Sequence, residues 1–307
     1  MKKIITFVLL IIFHIGQVNS DPLFDDLLAN LGSPLSQIGF IKKSAKSSDG
    51  VDIVYFEKGE GDQTLVFIHG YSCNSNYWWA QLDYFSKNYK VISVDLGGHG
   101  QSGQNRETYS MGQFGQDVVA AINHANIDKA ILIGHSMGGP VAVEAAVILK
   151  ERAKAIIGID TLHDIAKEPA SSFVKLMVGM MFRFSQESAT EKATAGFFIE
   201  STNNDLKNWI KKGSRNAPVE ASRGSLKSLL GMNYPGQLDK INIPIKTLNS
   251  RYFRETNVEG NLQQYDKLKI DFFEDIGHFI MMERPTEFNR WLEDKINLIF
   301  TKLSSNK

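Results

Sequence analysis

The sequence predicts an α/β protein, built on a mostly parallel, doubly wound sheet with a helical insertion before its last two strands. Three observations carry that expectation. Between residues 51 and 160, short β-branched runs alternate with longer segments of helical period, the rhythm of strands joined by crossover helices. These runs are apolar throughout rather than alternating, as strands covered on both faces must be. From about His163 to Lys240 the rhythm breaks, then resumes for two strands and a closing helix.

Taken in order, the chain opens on Met1-Lys2-Lys3, an apolar run from Ile4 to Ile15, and small residues at Val18 and Ser20. This is the pattern of a cleavable secretory signal, expected to be cut after Ser20. Thr6 and His14 interrupt the run, which falls short of the roughly 20 apolar residues of a spanning helix. The mature chain is therefore expected to start at Asp21, to be secreted or periplasmic, and to keep no stable membrane span. Ile38 to Lys43 and Val51 to Glu57 read as a hairpin about Ser47-Ser48-Asp49-Gly50. Thr64 to His69, Lys90 to Asp95, Ala130 to Gly134 and Lys154 to Asp160 read as buried strands. Tyr109 to Asn123 and Met137 to Lys150 are the intervening helices, the first with Ser110 as a cap. The stretch from 163 to 240 is expected to be a helical cap, with residues 21–162 and 241–307 forming the core. Its Met and Phe content, including Phe173, Leu176, Met177 and Met180 at helical spacing, suggests the lining of an apolar acyl pocket. Pro244 to Asn249 and Leu268 to Glu274 then read as strands, and a helix from Pro285 to about Leu303 closes the chain with an apolar face of Phe288, Trp291, Leu292, Ile296 and Ile299.

The composition is 43% hydrophobic and 22% charged in 307 residues, enough to bury a sizeable core and far from the signature of disorder. Basic and acidic side chains balance at 34 each, so nothing in the charge points to nucleic acid. Cys73 is the only cysteine, which excludes an intramolecular disulfide and reads as a half-buried structural thiol. Zinc-binding motifs and the phosphate-binding glycine loop are missing from the sequence, and no metal or organic cofactor is expected.

The chemistry centres on Gly134-His135-Ser136-Met137-Gly138, a GxSxG string between a predicted strand and a predicted helix. A sharp strand-to-helix turn needs small neighbours, which Gly134, Gly138 and Gly139 supply, and it lifts the serine hydroxyl clear of the sheet. Ser136 is the candidate nucleophile. A serine hydroxyl needs a base, and His278 stands just past the last predicted strand, at the C-terminal sheet edge where open α/β sheets gather their sites. An oxyanion formed at Ser136 needs backbone N–H donors, for which Met137 and Tyr71, in the loop after the first long strand, are the candidates.

With His69-Gly70-Tyr71-Ser72-Cys73, Asp95-Leu96-Gly97-Gly98-His99-Gly100-Gln101-Ser102, Gly134-His135-Ser136-Met137-Gly138-Gly139 and Gly277-His278 in this order, the chain resembles the α/β-hydrolase fold family, in its esterase, lipase and haloperoxidase-like group. The resemblance runs from about residue 50 to the end. It implies the order nucleophile, acid, histidine, and it implies a structural use for the Asp95 to Ser102 loop. Many relatives carry Arg two positions after that Asp, where this chain has Gly97. Ser136 also departs from the Asp nucleophile of the haloalkane dehalogenases and epoxide hydrolases in this group. The family's commonest acid follows the strand that here reads Pro244 to Asn249, but no Asp follows it. Asp160, at the end of the preceding strand, is the expected acid, with Glu255 and Asp164 as alternatives.

The expected activity is that of a serine hydrolase cleaving carboxylic esters through an acyl-enzyme, on a small-molecule ester or other acyl substrate. Lactonase, thioesterase, amidase or perhydrolase chemistry would use the same residues. A non-catalytic ligand-binding protein of the same fold is the alternative from another class, and it has no need for Ser136, His278 and a glycine-rich oxyanion turn together.

Overall fold

A computed structural model of the chain describes residues 21–185, 189–191 and 194–305. The expected signal segment, residues 1–20, lies outside them. Eight strands form one sheet: β1 (Ile41–Lys46), β2 (Asp52–Lys58), β3 (Thr64–Ile68), β4 (Lys90–Val94), β5 (Ala130–His135), β6 (Ala153–Ile159), β7 (Ile245–Ser250) and β8 (Leu268–Phe273). Their order across the sheet is β1-β2-β4-β3-β5-β6-β7-β8. β2 pairs antiparallel with both β1 and β4, and every other pairing is parallel.

The apolar strand runs explain the two-sided packing. Along β3, Val66 and Ile68 join a core with Phe114 and Val118 of the helix Met111–His124 and with Val141 and Ala142 of the helix Gly138–Leu149. Leu65 and Phe67 join the opposite core with Leu82, Phe85, Phe288 and Leu292, from the helices Trp79–Phe85 and Pro285–Ser305. Successive side chains of a strand point to opposite faces, so a central strand must be apolar at every position. Each such side chain contributes about 1.5–3 kcal/mol when fully buried.

Two local features differ from expectation. The first strand begins at Ile41 rather than Ile38, because Leu35–Ile38 forms a 3₁₀ turn that Gly39 ends at φ +80°. The helix Pro22–Ala29 was not expected; Asp21 caps it, accepting hydrogen bonds from the Leu23 and Phe24 amides, and Leu23, Phe24, Leu27 and Leu28 form the face that packs on the core. Between β6 and β7 run the helices Ser172–Phe184, Asn204–Arg215, Val219–Leu230 and Tyr234–Leu238, with no strand among the described residues. Phe173, Leu176 and Met177 are not buried around the Ser136 turn as an acyl pocket would require: they are 69%, 57% and 47% exposed. Their helix packs on its neighbours through Val178 and Met181 instead.

β3 sends the chain to β4 on one side, and β4 sends it across to β5 on the other, so the sheet reverses its winding between β3 and β5. The loops leaving these strands open a crevice at their carboxyl ends.

Candidate active site

Ser136 sits in that crevice, directly after β5, with φ at +51°. A left-handed serine costs on the order of 1 kcal/mol, and the turn is held from both sides. The Ser136 amide donates to Ile159 O at 2.9 Å, and Thr161 Oγ1 donates to Ser136 O at 2.6 Å. Only glycine fits beside it: a Cβ at Gly134 would lie 2.2 Å from Gly138 O, and one at Gly138 would lie 2.4 Å from Ile68 O.

The loop after β3 abuts this turn. A Cβ at Gly70 would come within 3.2 Å of Ser136 Cβ and 2.8 Å of His135 Nδ1, so Tyr71 follows Ser136's immediate neighbour. His69 pins the loop, with Nδ1 2.8 Å from Gly70 O and Nε2 accepting from the Leu96 amide at 3.1 Å. Met137 is fully buried and helical, at the entrance of the helix Gly138–Leu149. The two expected oxyanion residues thus flank Ser136 from neighbouring elements.

Asp160 ends β6 and His278 lies in the loop after β8, and the structure brings them together: His278 Nδ1 is 2.6 Å from Asp160 Oδ2. The other carboxylate oxygen accepts from the Ser250 amide at 2.8 Å. Glu255 is exposed, and Asp164 accepts instead from Asn257 Nδ2 at 3.1 Å, so neither alternative acid holds this position. Burial raises the Asp160 carboxyl above the ordinary carboxylate range, opposed by His163 and the Ser250 amide. Burial and then the Arg254 cation lower His278 below the ordinary histidine range. Burial thus disfavours a lone charge on either group, and the 2.6 Å hydrogen bond holds them as a pair.

His278 is only 1% exposed, and rings from two elements cover it. Phe253 lies over it at 3.9 Å between centroids, and Phe197 at 4.5 Å. Phe197 also accepts a hydrogen bond from the His278 amide at 2.7 Å. His135 fixes the same segment from below: its Nε2 is 3.0 Å from His278 O, and burial keeps its pKa well below the ordinary range, so it stays neutral and donates there. Clefts of about 460 and 620 Å³ open near Phe198 and Tyr252, and neither is lined by Ser136 or His278.

Several contributors carry no sequence signal of their own. His135 stands inside the GxSxG string and could have been suspected, but Ser250, Phe197 and Phe253 become neighbours of the pair only through folding. Cys73 is fully rather than half buried, and its thiol is pushed up by burial, the behaviour of a packing residue. The Gly97 departure also has a physical account. A Cβ at residue 97 would lie 2.7 Å from Arg106 Nη1, so the missing side chain leaves room for the Arg106 guanidinium. Arg106 bridges Asp117 at 2.7 Å and Asp49 at 2.9 Å, and Asp117 also accepts from the Gly97 amide. The Asp95 carboxylate is used within its loop, accepting from the Ser75 and Gln101 amides. Among the described residues, no cluster of three or more His, Cys, Asp or Glu side chains could hold a metal, and no helix is long and apolar enough to cross a membrane.

Known proteins place this arrangement. The chain is 26% identical over 258 residues to 3-oxoadipate enol-lactonase 2 of Acinetobacter baylyi, covering 82% of this chain and 95% of that protein. It is 36% identical over 123 residues to (E)-2-((N-methylformamido)methylene)succinate hydrolase of the same organism, covering 40% of this chain. That match spans 46% of the hydrolase, and another curated relative is matched over 38% of its length. A thermophilic esterase from Thermogutta terrifontis superposes with a TM-score of 0.74 at 21% identity, covering 85% of this chain and 98% of the esterase. The model of the alpha/beta hydrolase fold matches residues 63–242, which begin at β3, contain the Ser136 turn and reach the threshold of β7; the chain belongs to that family.

Proposed function

We propose that the chain is a serine hydrolase of small carboxylic esters, with Ser136 as nucleophile, His278 as base and Asp160 as the acid that orients it. The observation that carries the reading is the 2.6 Å hydrogen bond between Asp160 and His278 Nδ1, made at the sheet edge where Ser136 is held in its left-handed turn. With Nδ1 engaged as a donor, Nε2 is left with a lone pair, the form needed to take a serine proton. Ser136 Oγ would add to the substrate carbonyl while His278 accepts its proton. The Met137 and Tyr71 amides would receive the oxyanion. His278 would then protonate the leaving alcohol and activate water to release the acid.

A lactonase reading is favoured by one specific finding, the match to an enol-lactonase over nearly that protein's whole length. A lactone is an internal ester, and both reactions use the same residues. The segment from 163 to 240 is read as a cap, and export with cleavage after Ser20 is supported by the charged start and short apolar run of the first twenty residues.

A fluorophosphonate probe tests the nucleophile: it should label the protein, and folded Ser136→Ala should not react. Equal labelling of both proteins would defeat the assignment. A panel of p-nitrophenyl esters and lactones, run with Ser136→Ala as blank, separates the two substrate readings.

A further inference from the structure

Independently of the hydrolytic chemistry, the helix Ser172–Phe184 leaves an apolar face without a partner among the described residues. Val178 and Met181 turn inward against the core. Nearer its N-terminal end, Phe173, Val174, Leu176 and Met177 are 69%, 43%, 57% and 47% exposed over little more than one turn. Single exposed apolar residues are ordinary, but a contiguous set on one helix face is not, and it marks a surface that something covers. Beside this ridge, between the helices Ser172–Phe184 and Val219–Leu230, runs a groove of about 220 Å³. It is lined by Leu176, Gly179, Met180, Arg223 and Lys227, two cations and no carboxylate. Arg223 is also paired with Glu220, which lies outside the groove's lining, and Lys227 is exposed.

We propose that this ridge and groove dock the protein on an anionic phospholipid bilayer, the helix lying along the interface. An apolar ridge bordered by cations matches the two chemistries such a surface offers side by side, acyl chains at shallow depth and phosphates just above them. A second protein copy would need only the apolar half of that match, and neutral lipid would leave the cationic groove without purpose. Phe173, Leu176 and Met177 enter the acyl boundary, and Arg223 and Lys227 reach the phosphates. Binding is accordingly weakened by salt, since the cations act within a Debye length of the surface.

The test is co-sedimentation of the full chain with vesicles of phosphatidylcholine alone and of an equal mixture with phosphatidylglycerol. Wild type should pellet with the mixed vesicles and not with phosphatidylcholine alone. The triple variant Phe173→Ser, Leu176→Ser, Met177→Ser should bind the mixed vesicles about ten-fold or more weakly. Arg223→Gln with Lys227→Gln should weaken binding by about five-fold per cation. Hydrolysis of a water-soluble ester should be unchanged in both. If the triple variant loses that activity through misfolding, the Arg223 and Lys227 variant carries the test. Unaltered vesicle binding by the folded variants, or no binding by wild type, overturns the proposal. So does a vesicle-free dimer that the triple variant splits, which would assign the face to a second copy.

Discussion

Asp160→Asn is the substitution whose effect the geometry specifies most fully. The Ser250 amide donates to Asp160 Oδ1 at 2.8 Å, and that N–H is buried with the strand end. An asparagine there must keep its carbonyl oxygen toward Ser250, since turning its NH₂ that way would set two donors against each other. Its NH₂ then faces His278 Nδ1, where the carboxylate now lies at 2.6 Å. Nδ1 is forced to accept, the ring proton moves to Nε2, and under the proposed mechanism His278 can no longer take a proton from Ser136. A triad acid neutralised in this way loses about 10⁴ in kcat, equivalent to about 5 kcal/mol of barrier. The near-isosteric change should leave the fold intact. Kinetics on one activated ester, with folding checked by circular dichroism, supply the measurement, and Glu255→Gln serves as the control expected to keep wild-type activity. Asp160→Asn retaining more than about a tenth of wild-type kcat would refute the tautomer argument.

Other outcomes follow from the same structure. His69 and His99 are held down to about 4 and about 3 by burial. The unfolded chain therefore binds protons first, and stability present above pH 6.5 should fall by about 1.4 kcal/mol per pH unit for each of them as pH drops toward 4, measurable by urea unfolding. Arg106→Ala would leave the buried Asp117 carboxylate unpaired and should cost about 3–5 kcal/mol in the same experiment, while ester turnover by the remaining folded protein stays near normal. Gly134→Ala drives a Cβ to 2.2 Å from Gly138 O, backbone that cannot yield without moving the Ser136 turn, so soluble protein should be scarce and its turnover lost.

The fold and part of the site were legible in the sequence for different reasons. The strands β3 to β6 are strongly patterned because burial on both faces makes them largely apolar, and the boundaries of all six parallel strands, β3 to β8, fell within a residue or two of expectation. The Ser136 turn is local: its glycines stand within three positions of the serine, and their necessity is a matter of backbone contact that the string itself encodes. His278 and Asp160 could be nominated from their places at strand ends, since strand ends of one parallel sheet share an edge. Helix Pro22–Ala29 was passed over although Asp21 caps it and Leu23, Phe24, Leu27 and Leu28 stand at helical spacing, because a stripe of two turns is marginal by itself and is fixed by packing.

What tertiary structure alone decided is which groups meet. No spacing in the chain distinguishes Asp160 from Glu255 as partner of His278. The distinction arises because β6 lies beside β7 and its end reaches the Ser250 amide, whereas Glu255 is carried out to solvent. Arg106 filling the space at Gly97, and Phe253 closing over His278, likewise join residues 9 to 25 positions apart whose proximity depends on loop paths rather than on residue type. The helix Ser172–Phe184 shows the limit most plainly. Phe173, Leu176 and Met177 have the spacing of a buried face, and composition assigns them to a pocket, yet they face solvent. Helical period tells which residues share a face; only packing against neighbours decides whether that face turns inward or out.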